Sequence, residues 1–377
     1  VMTFQAAGGG LSVLGIDPAA GRVEWESVLG APWPVRLAAA SDGTALLGVD
    51  RVGRRFSITG EELAQGGFVV SRLPRPGDPR VPGGAVATVT RGGEEFTLLL
   101  PDAEGDEVWA ESETKAAGEG GAWAPVDLPS RAAARPLPWA EGLLVPGEDG
   151  RAYLIDPKTG LSDAEPLVPT FDRERTGRWL APALLDAGSA ILADDVGRVR
   201  RLSIAEGADR RIVVDAEAAL DQRILHPPAC TASAVVIATE DGSLRSLAAR
   251  DLSAVGSWKL DAPLVGAPHA VAGRVAAFDA AGTVIFLGPD GRRLWSTPLG
   301  AEAVGAPAIR DDLLWVLDRN GRVHGLSIAD GRVVESIDSG ASPADGLILL
   351  GDRILTPTGR GVLRPFEPPP REEGSQP

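Results

Sequence analysis

LLWVLDRNGRVHGLSI, Leu313 to Ile328, reads as two short strands joined by a tight turn. Apolar and polar residues alternate on both sides of Asn320 and Gly321, a pair able to take the positive φ that a hairpin turn needs. The same phrase returns as RVAAFDAAGTVIFL around Gly282, VVIATEDGSLRSL around Gly242, AILADDVGRVRRLSI around Gly197 and LLVPGEDGRAYLID around Gly150. Weaker copies are AVATVTRGGEEFTLLL at Gly93, ALLGVDRVGRRFSI at Gly53 and RILTPTGRGVLRPF at Gly361. From Gly53 the intervals are 40, 57, 47, 45, 40, 39 and 40 residues, and the longest is read as absorbing a loop insertion over about 111–138, rich in Gly, Ala and Pro.

Two further features recur with the hairpin. A small residue followed by Pro comes before it, at Ala31-Pro32, Ala181-Pro182, Ala267-Pro268 and Ala306-Pro307; proline is tolerated at the first residue of a strand, where no ladder donor is needed. After the hairpin, Asp, Gly and an aromatic recur at fixed offsets, as in GIDPAAGRVEW from Gly15 to Trp25. Each unit therefore carries four short strands in roughly 40 to 45 residues, the pattern of a propeller blade. A helical repeat of that length is excluded by the absence of a 3.6-period apolar stripe. The expected fold is an all-β propeller of about eight four-stranded antiparallel blades, with seven to nine possible. It forms one domain over 1–366, followed by a disordered Pro/Glu-rich tail over 367–377.

Composition narrows the function classes. The 37 Lys and Arg against 52 Asp and Glu give a formal charge of −15, which disfavours nucleic acid and anionic lipid as partners. No apolar run is long enough to span a membrane, and the N-terminus lacks the basic and apolar regions of a signal peptide. Cys230, the single cysteine, sits in the apolar PPACTASAVVI, so neither an intrachain disulfide nor a thiolate zinc cluster is available, and the thiol is expected to be inert.

The stretch Gly15 to Trp25 resembles the tryptophan-docking repeat of the quinoprotein-like (PQQ-repeat) propellers, small-x-Asp-x-x-x-Gly-basic-x-x-Trp, in Asp17, Gly21, Arg22 and Trp25. LLPDAEGDEVW keeps Gly105 and Trp109 with Pro101 at the Asp position, and Trp258 and Trp295 close shorter or Gly-poor versions. The resemblance implies that Trp25, Trp109, Trp258 and Trp295 stack on the backbone of an adjacent blade, each adding buried area and a hydrogen-bond donor. It also implies a periplasmic or cell-surface location.

The same family contains dehydrogenases that bind pyrroloquinoline quinone and calcium, typically under an adjacent-cysteine disulfide and with Glu, Asn and Asp on the metal. One cysteine cannot form that disulfide, and Asn320, the only Asn, is already explained by its turn. His226, His269 and His324 are not spaced as metal pairs, and Asp318 and Glu240-Asp241-Gly242 lack the full acidic loop of a calcium site. No nucleophile elbow and no phosphate-cradling loop occur. The reading is a non-enzymatic module of the non-catalytic branch, with no catalytic, cofactor or metal residue, that binds protein partners as a scaffold or sensor. Two alternatives stand beside it: a divergent quinone-dependent oxidoreductase, and a carbohydrate-binding propeller using Trp33, Trp123, Trp139 and Trp179.

Overall fold

The computed structural model describes residues 2–5, 11–17, 22–29, 36–39, 45–49, 55–59, 84–101, 105–112, 124–169, 177–207, 210–339, 343, 346–350, 353–357 and 363–366; before residue 87 and over the last strand it describes backbone alone. Gly53, Gly361, Trp33, Trp123, the side chain of Trp25 and the tail 367–377 lie outside the described residues.

Every described regular element is a strand, and the strands fall into nine antiparallel sheets. Three N-terminal strands, β1 (Met2–Gln5), β2 (Leu11–Asp17) and β3 (Arg22–Leu29), form the first, and β4 (Arg36–Ala39), β5 (Ala45–Val49) and β6 (Arg55–Thr59) the second. The third holds β7 (Gly84–Arg91), β8 (Glu94–Pro101), β9 (Glu107–Ser112) and β10 (Ala124–Asp127). A three-stranded sheet of β11 (Leu137–Trp139), β12 (Gly142–Pro146) and β13 (Ala152–Ile155) follows.

Three complete blades come next. They are β14 (Ala183–Asp186) to β17 (Arg211–Ala219) through β15 (Ser189–Ala193) and β16 (Arg198–Ala205); β18 (Ala229–Cys230) to β21 (Ala254–Lys259) through β19 (Ala234–Thr239) and β20 (Ser243–Ala248); and β22 (His269–Val271) to β25 (Arg293–Pro298) through β23 (Arg274–Phe278) and β24 (Thr283–Leu287). A fourth is β26 (Ala308–Arg310), β27 (Leu313–Leu317), β28 (Arg322–Ser327) and β29 (Val333–Asp338), and the series ends with β30 (Ile348–Leu350), β31 (Arg353–Pro357) and β32 (Leu363–Phe366).

First strands of neighbouring sheets lie side by side, β4 with β7, β7 with β11, β11 with β14, β14 with β18, β18 with β22, and β26 with β30. This is the inner ring of a propeller. Among the described residues eight sheets start on that ring, consistent with the expected blade number of about eight. The core sits between blades, where each sheet lays one face on the next: Val236, Ala238 and Leu244 meet Val275, Ala277 and Ile285, and Ala276 and Phe286 meet Leu314 and Leu326.

The fourth strand carries a repeated irregularity. Pairing between third and fourth strands skips one residue at Asp215, Val255, Leu294 and Val334. The same skip at Glu24 in the β2–β3 pair makes those two strands equivalent to third and fourth blade strands. A bulge at the same place in these outer strands bends each of them and disrupts an exposed edge that would otherwise template aggregation; β10 pairs with β9 without one.

Two sequence expectations need correction here. Gly92 and Gly93 form the two-residue turn between β7 and β8, the first and second strands of their blade. The turn equivalent to those at Gly150 and Gly197 is instead the one containing Gly105, 45 residues before Gly150. The stretch 111–138 is also not one loop: it contains the end of β9, all of β10 and the start of β11. Both errors have one cause. A Gly turn between alternating segments looks the same wherever it sits in a blade, so displacing one turn lengthened one interval and created an apparent insertion.

Candidate interaction face

Five consecutive blades present the same turn between second and third strands, at Gly147–Arg151, Asp194–Arg198, Thr239–Ser243, Asp279–Thr283 and Asp318–Arg322. In each, the glycine at the fourth position, Gly150, Gly197, Gly242, Gly282 or Gly321, has positive φ and returns its N–H to the first residue's carbonyl. At Gly282 a Cβ would lie 2.5 Å from the carbonyl oxygen of Ala301, so both backbone conformation and space demand glycine. In the last four of these turns the Gly carbonyl accepts a hydrogen bond from the residue just past the fourth strand: Leu220, Leu260, Leu299 and Ser339.

The chain then crosses to the next blade and bridges its turn, Ala132 to Gly147, Trp179 to Asp194, Ile224 to Thr239, Leu264 to Asp279 and Ala303 to Asp318. Beside each bridge, the turn's second residue donates its N–H to the carbonyl of the residue preceding the bridge. These pairs are Glu148 to Arg131, Asp195 to Arg178, Glu240 to Arg223, Ala280 to Pro263 and Arg319 to Glu302. One end of the propeller is thus a backbone lattice whose paired outward residues are free to vary. Four of the pairs set residues of opposite charge side by side on the backbone; the order reverses in the fifth, where Arg319 also reaches Glu302 at 2.6 Å. Asp195 also bonds Arg223 of the following crossing at 2.9 Å.

Beneath this surface lie three buried aspartates at the turns' first position. Asp194, Asp279 and Asp318 each accept a backbone N–H four residues on, from Arg198, Thr283 and Arg322. In the sequence only Asp318 stands out among them, through its likeness to part of a calcium loop. The signal for all three was Asp three residues before the turn glycine.

Around Asp318 the geometry has the outline of a hydrolytic triad: His324 Nε2 is 3.2 Å from Asp318 Oδ2, and its Nδ1 is 2.7 Å from Ser336 Oγ. The same three positions in the β14–β17 blade hold Asp194, Arg200 and Glu217, joined at 3.2 and 3.0 Å, with Arg200 also over the Trp179 ring. The arrangement is a polar stitch across one blade, filled by different chemistry in each copy. Cys230 is buried, and burial pushes its thiol up to about 12, which leaves no thiolate near neutral pH. Burial lowers His226 from the ordinary imidazole value.

Among the four docking tryptophans, Trp295 donates its indole N–H to Ile328 O at 2.9 Å in the next blade and stacks on Phe286 at 4.8 Å. A Cβ on Gly331 would lie 2.5 Å from its ring. Trp258 lies two ladder positions further along its strand; its ring folds back over Gly256, the residue that follows the bulge. Trp109 belongs to β9, a third strand, and its N–H goes to Glu107 at 3.2 Å in the same strand. Here docking on a neighbour is corrected: without a bulge, Trp109 does not share the register of Trp295. Trp139 and Trp179 are buried, so neither offers the exposed ring that a sugar-binding site needs.

Two clefts are open. One of about 440 Å³ on the lattice end is lined by Gly147–Gly150, Ala133, Gly177, Arg178 and Trp179. The other, about 700 Å³, lies at the opposite end between the turns at Gly92, Ala140–Glu141 and Ala187–Gly188. Arg91 and Arg210 line it and converge on Asp163, tying three blades together. A calcium–quinone pair does not fit the residues present: Asn320 sits exposed at the tip of a turn, the lone Cys230 is buried, and among the described residues no three His, Cys, Asp or Glu side chains converge as a metal site.

Repeat, bulge and inter-blade packing define a β-propeller of four-stranded blades. Residues 255–366 match the family model of outer membrane protein assembly factor BamB. Among solved structures the chain is similar to BamB from Moraxella catarrhalis, with 14% identity over 96% of this chain and 98% of that one and a TM-score of 0.59. A computationally designed protein, Ika8, is 14% identical over 90% and 96% of the two chains with a TM-score of 0.59. AztD from Citrobacter koseri is 13% identical over 90% and 94%, with a TM-score of 0.56. No curated protein matched by sequence.

Proposed function

We propose that this chain is a non-enzymatic propeller that holds protein partners on its lattice end, acting at the bacterial envelope in the periplasm or at the cell surface. The observation that carries the reading is the construction of that end. Five turns are fixed by the same backbone bonds while the outward pair changes from Arg/Glu to Pro/Ala to Glu/Arg, so geometry is constant and chemistry is variable, as a recognition surface requires. The match of residues 255–366 to an assembly factor supports partner binding and location alike; fold alone would not. The blade stitches account for the buried Asp, His and Arg without assigning them chemistry.

Two measurements test it. A photo-crosslinking amino acid placed at Glu148, Glu240 or Arg319 in the living host is expected to yield discrete protein adducts, and adducts from none of them overturn the platform. Titration of the purified chain with pyrroloquinoline quinone and calcium is expected to leave tryptophan fluorescence and the thermal midpoint unchanged. Saturable quenching with a raised midpoint overturns the non-enzymatic part, because a ligand held only by the folded chain must stabilise it.

A further inference from the structure

We infer that the lattice end carries a defined docking patch on the β18–β21 and β22–β25 blades, and that its occupant is an extended segment of another protein in which apolar residues alternate with Lys or Arg. The inference rests on the platform reading and goes further by placing the contact and naming its chemistry.

Among the five described pairs of that end, charge is interrupted once. At the β22–β25 blade both partners are uncharged, Pro263 and Ala280, and both are exposed, as is Ala281 beside them. The two crossings that flank this blade's inner strand and its predecessor's carry Leu225, 48% exposed, and Val265, 39% exposed. Their backbone N–H groups are already used, on Ala238 O and Phe278 O, so what they offer a partner is side-chain surface. Their counterparts Ala133, Leu180 and Val304 are buried or half-buried. Among the five described pairs, apolar surface is thus concentrated at the uncharged one, where no Arg or Glu of the pair must be desolvated for a partner to approach.

Charge selects the occupant. Glu240 and Asp261 border the gap, both are exposed, and neither is paired with a cation among the described residues. Elsewhere on this end the carboxylates of Asp195 and Glu302 are engaged by Arg223 and Arg319. Lys259, exposed and with its Nζ at the Gly242 turn, offsets one of these charges; the balance at the rim is still negative, on a chain of net −15, and a basic segment is steered in and an acidic one repelled.

The test uses fluorescein-labelled decapeptides of alternating Leu and Lys, Leu and Glu, and Ser and Lys, with binding to the whole chain read by fluorescence polarisation. The Leu/Lys peptide is expected to bind in a salt-sensitive way, the other two at least tenfold more weakly. Leu225→Asp with Val265→Asp is expected to weaken it at least tenfold, and Glu240→Lys with Asp261→Lys, which leaves the apolar surface untouched, to do the same. Val334→Asp on the outer edge is expected to change nothing. No Leu/Lys binding, equal binding of Leu/Glu, or unchanged binding to both double variants overturns the patch. Crosslinks from Glu148 or Arg319 with none from Leu225 or Val265 overturn the patch and keep the platform, whereas silence at all of them removes both.

Discussion

The β22–β25 and β26–β29 blades fill the same space in opposite ways. In the first, the row that faces the following blade runs Ala276, Phe286, Trp295 from second to fourth strand; in the second it runs Trp315, Gly325, Glu335. Bulk sits outside in one and inside in the other. Trp315 is buried, and a Cβ on Gly325 would lie 2.9 Å from its ring, so the glycine is the space the tryptophan occupies. Two earlier blades give further solutions. Trp258 folds back over Gly256, and in the β14–β17 blade Arg201 reaches across to Arg250 O at 2.9 Å. One large side chain per interface is held constant while its strand of origin is not, because close packing fixes volume and leaves chemistry open.

The comparison breaks most severely if the anchor itself is removed. Trp315→Ala and Trp295→Ala are each expected to cost about 3–5 kcal/mol, the cost typical of deleting a buried aromatic, measured as the shift in urea midpoint at constant m. Equal costs would establish that inner and outer anchors do the same work. Gly331→Ala removes no contact, yet it places a Cβ 2.5 Å from Trp295 at a φ of +74°. It should lose about 2–3 kcal/mol through overpacking and strain, and the Trp295→Ala background should relieve part of that loss.

Cys230 reports on the interface that Arg201 closes, since both lie between the β14–β17 and β18–β21 blades. The native thiol should resist a disulfide reagent at pH 8, and Arg201→Ala should raise its rate severalfold. Because burial raises this pKa from 9.0 to about 12, the thiol's contribution to stability is complete below about pH 9 and is lost as pH climbs towards 12. Cys230→Ala should flatten that alkaline limb of the stability curve.

The smallest effects belong at the periphery. Glu335→Ala should fall within about 0.5 kcal/mol of wild type, as for surface substitutions away from a packed anchor, although its row equivalent is Trp295. Asp311 and Asp312 turn the first hairpin of the same blade with φ of 52° and 59°. Replacing them with Asn-Gly should stabilise by about 0.5–1 kcal/mol, read as a higher thermal midpoint.

Legibility in the sequence followed the same division. The turns at Gly150, Gly197, Gly242, Gly282 and Gly321 were readable because a tight turn states its needs within four residues. Gly93 misled because the rank of a hairpin within its blade is a long-range property. Trp295 was readable as an anchor by its spacing from Gly291, whereas Arg201 and Trp315 carried no such mark. The outward pairs of the lattice end were invisible as pairs, since Arg178 and Asp195 stand 17 residues apart and meet only because a crossing strand bridges the turn.

From sequence alone came the strand period, the positive-φ turns, the blade size and the acidic surface, all set by local backbone sterics and composition. Tertiary structure alone decided which side chain anchors each interface, which aspartates are buried and where the charged ring is interrupted. Those depend on which residues the closing of blade upon blade brings into one dry gap or onto one exposed end.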